Sequence, residues 1–434
     1  MKQPNLIIEE FFEGIPKSDP AAEAEELSLI SNMKSKVFLF LTIIILMGCQ
    51  SGKRKSGQTG ELPVIDISKN YPKKEIRLQD IADMEYIPLE TTDDVLLGRY
   101  SFISYVSDKY ILVWEMMQGD VFVFNRNGKI VSHFNRKGQG GQEYTSISGS
   151  GVLFDEKKAE IFVIDDPTKR ILVYSVNGEY KRTLKYSTDL NIMMAGSVCN
   201  FDDETLLIYD MYKPYLGDNK SEKPYLLMSK IDGSIVSVLD INLPVRYSNR
   251  IYQEIDLGGG QKVKTASTIS TPNNKYYGQD LVIADISSDT IYQLTQNRDL
   301  TPMLVRTPSV HSSEPRVVWT TLLTTGKFIV LQKTTLDFIA AEKGRESPPV
   351  TLMYEFETGE TSEVSFINAE FAMGKWIPNA MNAPNISRNM MADLMWPSRL
   401  KEAYENKQLK GALEKIAEAL DEEDNPIVRI IKFK

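Results

Sequence analysis

Two histidines, His133 and His311, are all that 434 residues offer for imidazole chemistry, so a three-histidine zinc site is out of reach. Carboxylates gather at Asp165-Asp166, at Asp202-Asp203-Glu204 and from Asp421 to Asp424. A calcium loop spaces its ligands at alternating positions, and neighbours on a strand point to opposite faces. These adjacent acids therefore predict solvated turns, with no metal and no cofactor. The segment RKGQGGQEY, residues 136–144, resembles a phosphate loop only superficially. It lacks the third glycine of G-x-G-x-x-G and has no Gly-Lys-Ser/Thr, so it predicts a connector whose glycines adopt positive φ. Cys199 has no histidine near it in sequence and reads as a small buried apolar group. No catalytic residue set emerges.

What remains is chemistry of recognition. The tract SFINAEFAMGKWIPNAMNAPNISRNMMADLMWP carries Trp376, Trp396 and five methionines from Met373 to Met395. Such side chains adapt to apolar or sugar-like ligands, and equally fill the core around an irregular insertion. Trp376 and Trp396, together with Glu143 and Tyr144 of the glycine-rich segment, are the candidate binding-surface residues.

The elements that must position these groups begin after an unusual N-terminus. Val37 to Met47 is apolar except for Thr42, with Lys34 and Lys36 before it and Gly48-Cys49 after it. A membrane-spanning helix needs about 20 apolar residues, so this run is too short to span. A basic flank, a short apolar core and a small residue at the end are the parts of a secretory signal. Leu46-Met47-Gly48-Cys49 resembles a bacterial lipobox, which predicts a signal peptide over 33–48, acylation of Cys49, and a lipid anchor in a membrane. Residues 1–32 carry seven acids and fit no part of that signal, so they read as a mis-called extension, with Met33 the expected start. QSGKRKSGQTGE follows the cysteine and completes a flexible tether over 49–61.

Removing residues 1–48 takes away four basic and seven acidic residues and leaves a net charge near −6, which argues against a nucleic-acid partner. Over 62–434 the texture is short runs of Val, Ile, Leu, Phe and Tyr between turn residues. Segments 119–134, 159–184, 224–241, 279–294 and 350–366 each pair β-rich runs across polar turns. Asn127-Gly128, Asn177-Gly178 and Asp232-Gly233 are hairpin signals. Their glycines lie 50 and 55 residues apart, the length of a four-stranded propeller blade. A β-sandwich is the competing architecture. Closure of a ring requires the ends to meet, and NPIVRIIKFK with MEYIPLE (84–90) is expected to form a sixth, composite blade. Leu400, Tyr404, Leu409, Leu413, Ile416 and Leu420 predict a helical insertion over 397–420, capped at Ser398 and packed on the propeller, with a partner-binding helix as the alternative.

These features together resemble the six-bladed β-propeller lipoproteins of the Bacteroides group. The resemblance covers about 62–434 and is carried by Gly138, Gly140, Gly141, Glu143 and Tyr144, by SSDTIYQLTQNRDLTPMLV, and by the terminal DNPIVRIIKFK; Gly141 stands where that family usually has proline. It implies an all-β six-bladed propeller with a small C-terminal helical insertion before the closing strand, in the cell envelope. In related bacteria, export of lipoproteins to the surface requires acids just after the cysteine. Here Gln50-Ser51-Gly52 precede three basic residues, so a periplasm-facing protein in the outer membrane is expected. The expected function is binding or scaffolding of an envelope protein, peptide or glycan without catalysis, the alternative being an envelope hydrolase or lyase on glycan or peptide.

Overall fold

The computed structural model describes residues 62–147, 149, 151–193, 196–211, 222–247, 250–256, 262–268, 275–277, 279–312, 314–336, 348–371, 375–376 and 389–434; for 250–256, 262–268, 275–277 and 375–376 the backbone alone is described. Leu62–Lys434 forms one compact unit. Cys49 and the whole N-terminal segment to residue 61 lie outside the described residues.

The unit is a six-bladed β-propeller. Blade 1 is built from Ser101–Val106, Tyr110–Glu115, Asp120–Asn125 and Ile130–Asn135, inner to outer, all antiparallel. Blade 2 runs Val152–Asp155, Glu160–Asp165, Arg170–Ser175 and Tyr180–Lys185; blade 3 runs Val198–Asn200, Thr205–Tyr209, Tyr225–Ser229 and Ile235–Val238. Blade 4 is Lys275–Tyr277, Asp280–Ile283, Thr290–Leu294 and Leu300–Thr307; blade 5 is Arg316–Thr324, Phe328–Leu336, Val350–Glu355 and Thr361–Ile367. Blade 6 is composite: Met390–Met395, Ile427–Phe433 from the C-terminus and Ala82–Pro88 from the N-terminus, in that order. The five repeats and the closing pair thus match the expected ring.

Side-chain alternation explains why the middle strands read as continuous apolar runs. Leu112 faces the core between blades 1 and 2 while its neighbour Val113 faces the core between blades 6 and 1. Phe162 and Val163 divide in the same way between the blade 2–3 and blade 1–2 cores. Every consecutive pair of blades shares such a cluster, including Val428 and Ile430 of blade 6 against Ile103 and Phe124 of blade 1. A strand buried on both faces needs apolar residues at every position. Cys199 lies fully buried in the blade 3–4 core, as its reading as an apolar group predicts.

The three hairpin glycines have φ of +76° to +83°, whereas Asn127, Asn177 and Asp232 do not adopt positive φ. The strand registers shift at Val123/Phe124, Val173/Tyr174 and Leu227/Met228, so these are bulged hairpins with the glycine in the left-handed position. Each glycine also meets the preceding blade. A Cβ at Gly128 would come within 2.0 Å of Pro88 O, one at Gly178 within 2.5 Å of the Phe134 ring, and one at Gly233 within 2.6 Å of Lys185 O.

Two features depart from expectation. First, Val64–Asp66 pairs parallel with the outer strand of blade 4, and Lys73–Arg77 pairs parallel with that of blade 5, before the chain enters blade 6. The N-terminal stretch is a strap over three blades. Second, the helical insertion forms as two helices, Pro397–Glu405 (α1) and Gly411–Ala419 (α2), but Trp396 occupies the N-cap position of α1, with Pro397 in the first turn and no side-chain cap, so Ser398 is not the cap. Leu400, Leu409, Leu413 and Leu420 are buried with Ile427, and Tyr404 and Ile416 pack beside them, so the stripe faces the propeller.

Candidate functional site

The turns that join inner to second strands, and those that join third to outer strands, lie on one side of a meandering propeller. There, a cleft of about 560 Å³ is lined by Tyr105, Phe154, Asp155, Glu156, Lys157, Asn200, Phe201, Asp202, Asp203, Lys230 and Gln296. Four blades contribute. Tyr105 is on the inner strand of blade 1; Asp155, Glu156 and Lys157 follow the inner strand of blade 2; Asp202 and Asp203 occupy the same place in blade 3; Lys230 and Gln296 come from third-to-outer turns of blades 3 and 4.

The electrostatics are tightly paired. Lys230, 1 % exposed, places its ammonium 2.7 Å from Asp155 Oδ2 and 2.5 Å from the Asp202 carbonyl, bridging blades 2 and 3. Burial pushes its pKa down, and the Asp155 carboxylate opposes that. Asp202 accepts from the Thr205 amide and hydroxyl and from Arg298 at 2.9 Å. Burial alone would raise its pKa, but these bonds outweigh burial and hold it low. Asp203 pairs with Lys157, which holds its pKa below the usual carboxylate range. Glu156 accepts from the Tyr105 hydroxyl at 2.9 Å, and burial, with Glu156 next, pushes that phenol up. The floor of the cleft is thus a fixed ionic lattice, and Glu156, Lys157 and Asp203 form its solvent-facing rim.

Sequence reasoning missed this site. Its one legible sign is that SDKY, FDEKK and FDDET each place acids just after an inner strand.

The glycine-rich segment is structural. Tyr144 is fully buried, its hydroxyl donating to Gly119 O at 2.6 Å and accepting from the Arg136 amide at 2.8 Å, so it presents no surface to a ligand. Burial pushes its phenol pKa up. Glu143 folds back onto its own loop and accepts from the Gly140 amide at 2.7 Å. Gly138, Gly140 and Gly141 do not adopt positive φ, contrary to expectation. Gly138 instead leaves room for the Glu143 carboxylate to lie against the loop, since a Cβ there would come 2.0 Å from Glu143 Oε2. Trp396 is half-buried against the blade 6–1 core and Met391 is buried, so this end of the Met/Trp tract is core. Trp376 pairs through its backbone with Phe366; its side chain and Met373 lie outside the described residues. Of the candidates whose side chains are described, Glu143, Tyr144 and Trp396 do not line the cleft.

Asp165 and Asp166 correct another expectation. Both are buried, not solvated. Asp165 accepts from the Thr145 amide and hydroxyl and from Arg170, tying the blade 1–2 connector to blade 2. Asp210 repeats the device one blade on, accepting from the Asn191 amide at 2.9 Å. The acids at 203–204 and 421–423 are exposed in turns as expected, whereas Asp202 and Asp424 are partly buried. Among the described residues no three His, Cys, Asp or Glu side chains are grouped to hold a metal, and no helix is long and apolar enough to cross a membrane.

Residues 62–432 match a family described as a domain of unknown function, DUF4934. The chain belongs to this family. No curated protein matches the sequence. The fold of this chain is similar to that of a protein from Bacteroides fragilis whose name calls it exported, with TM-score 0.57 and 13 % identity over 83 % of this chain and 99 % of that one. A DUF4221 member from Bacteroides vulgatus (TM-score 0.41, 11 % identity, 82 % and 97 % covered) and BamB from Moraxella catarrhalis (0.30, 11 %, 76 % and 85 %) are more distant. At 13 % identity the likeness to the Bacteroides fragilis protein shows the fold alone. In the DUF4934 chain the cleft therefore has to be read from its own geometry.

Proposed function

We propose that this chain is a lipid-anchored, periplasm-facing propeller of the outer membrane that binds an envelope protein, peptide or glycan and catalyses nothing. The observation that supports it is the state of the cleft's carboxylates. Asp155, Asp202 and Asp203 are each held by a cation and Glu156 by a phenol, and no histidine lines the cleft. Acid–base catalysis needs a group free to exchange protons near neutral pH. A lattice of paired charges instead offers fixed donors and acceptors, which is how a pocket sets orientation and specificity. The exported neighbour and the lipobox-like Leu46–Cys49 motif support the location. Acyl chains on Cys49 would each add about 0.8 kcal/mol per buried methylene, and two or more hold a protein stably.

The test has two arms. Wild type is expected in the membrane fraction and shielded from protease in intact cells, with Cys49→Ala released or unprocessed. Purified protein is expected to bind at least one class among soluble peptidoglycan fragments, glycans and extended peptides, with binding weakened about tenfold by Lys157→Glu. Turnover of any of these that Glu156→Gln abolishes would instead make the cleft an active site.

A further inference from the structure

The outer edges of the blades differ in how they are finished. Those of blades 4 and 5 are covered by the strap, each time by a parallel fifth strand. Both added strands work alike. Ile65 is fully buried between blades 4 and 5, and Ile76 packs in the blade 5–6 core, while Lys73, Glu75 and Arg77 remain exposed. A short segment that inserts one isoleucine between two blades and follows it with a charged residue is what an outer edge of this propeller accepts.

The neighbouring edge, on blade 3, is open. Ile235–Val238 pairs with Tyr225–Ser229 on one side and with no strand on the other among the described residues. Ile235, Val236 and Val238 are 42 %, 49 % and 52 % exposed, and Ile231 in the preceding turn is 75 % exposed. An uncovered edge is ordinarily guarded by charge or proline. This strand has neither, whereas the blade 2 edge carries Lys181, Arg182 and Lys185, and the blade 1 edge exposes Val131 alone among its large apolar residues.

We propose that the outer edge of blade 3 docks an extended segment of a partner protein, which adds as a fifth strand parallel to Ile235–Val238 and carries one inserted isoleucine followed by a charged residue, as Val64–Asp66 and Lys73–Arg77 do. Backbone hydrogen bonds along the edge provide affinity and the alternate side chains provide selectivity. Other occupants are disfavoured by composition. The tether, CQSGKRKSGQTGE, has no aliphatic side chain to insert. A second copy would offer the uncharged Ile235–Val238 edge, which lacks the charged residue that follows the inserted isoleucine in both strap strands. The proposal is independent of what the cleft binds.

The full chain in detergent is titrated with a fluorescent peptide of the Tyr71–Gln79 sequence, and binding is mapped by hydrogen exchange. Exchange at residues 235–239 is expected to slow. The Val236→Lys/Val238→Lys variant should bind at least tenfold more weakly with an unchanged melting temperature, since both side chains are exposed, and the peptide with Ile76→Asp should lose as much. The proposal is overturned if residues 235–239 gain no protection, if the double variant binds equally well, or if sedimentation shows a dimer that the double variant abolishes.

Discussion

Lys230 joins blades 2 and 3 through one ammonium group, and removing it would leave the Asp155 carboxylate buried with its cation gone. Breaking such a pair from one side costs about 3–5 kcal/mol, whereas replacing both members with apolar groups of similar volume is often close to neutral. Lys230→Met is therefore expected to lower the unfolding free energy by about that amount in urea titrations, and Lys230→Met/Asp155→Leu to recover most of the loss. Glu160 carries a pH-dependent share. It accepts a bidentate pair of bonds from Arg182 at 2.8 and 2.7 Å, and Arg182 also donates to Lys230 O. Those bonds hold the Glu160 pKa below its ordinary 4.5. Its contribution is complete above pH 4.5 and disappears as pH falls through the lower folded-state value. Glu160→Gln should thus cost about 1–3 kcal/mol at pH 7 and flatten the acid limb of the stability–pH curve. An unchanged acid limb would mean that the Arg182 pair is not what holds this carboxylate.

At the scale of elements, the bulged hairpins act as spacers between blades. Gly128→Ala would drive a methyl into Pro88 O and impose positive φ on a residue with a Cβ, whereas Gly141 has nothing within 4 Å and no positive φ. Gly128→Ala should lower the melting temperature markedly, by about 2 kcal/mol or more of stability, and Gly141→Ala should be within about 0.5 kcal/mol of wild type. Hairpins and middle strands were legible in the sequence for a local reason. N-G and D-G turns, and runs apolar at every position, carry their structure in a few adjacent residues. The strap was not legible because Lys73–Arg77 has one apolar residue in five, and it is a strand only because blade 5 offers an edge. Burial of Asp165 was illegible for a related reason, since its partner Thr145 belongs to a connector 20 residues upstream. The cleft is the extreme case. It is assembled from turns of four blades, and no single stretch of sequence contains enough of it to be read.

At the scale of the molecule, the two N-terminal roles separate cleanly. Deleting Leu62–Tyr71 removes the blade 4 strap strand and the buried Ile65 and Ile67, but leaves blade 6 intact. Burial of one such isoleucine is worth about 2–5 kcal/mol, so this truncation should be less stable yet still unfold cooperatively. Deleting Asn425–Lys434 acts on closure instead. Ile427–Phe433 is the middle strand of blade 6, so Met390–Met395 and Ala82–Pro88 would both lose their partner. Val428 and Ile430 would vanish from the blade 6–1 core, and Ile431 and Phe433 from the blade 5–6 core. Asn425, whose side-chain amide donates to Glu90 O and Val95 O and whose carbonyl accepts from the Leu97 amide, would go with them. Each blade is too small to bury its own faces, so a gap at one interface exposes the flanking edges and the loss spreads around the ring. The C-terminal truncation is expected to aggregate, or to show no cooperative transition in urea, at concentrations where the strap truncation remains monomeric by size exclusion. A sharp transition with a wild-type denaturant slope in the C-terminal truncation would mean that the ring is held by its other four interfaces and that the shared blade is not its lock.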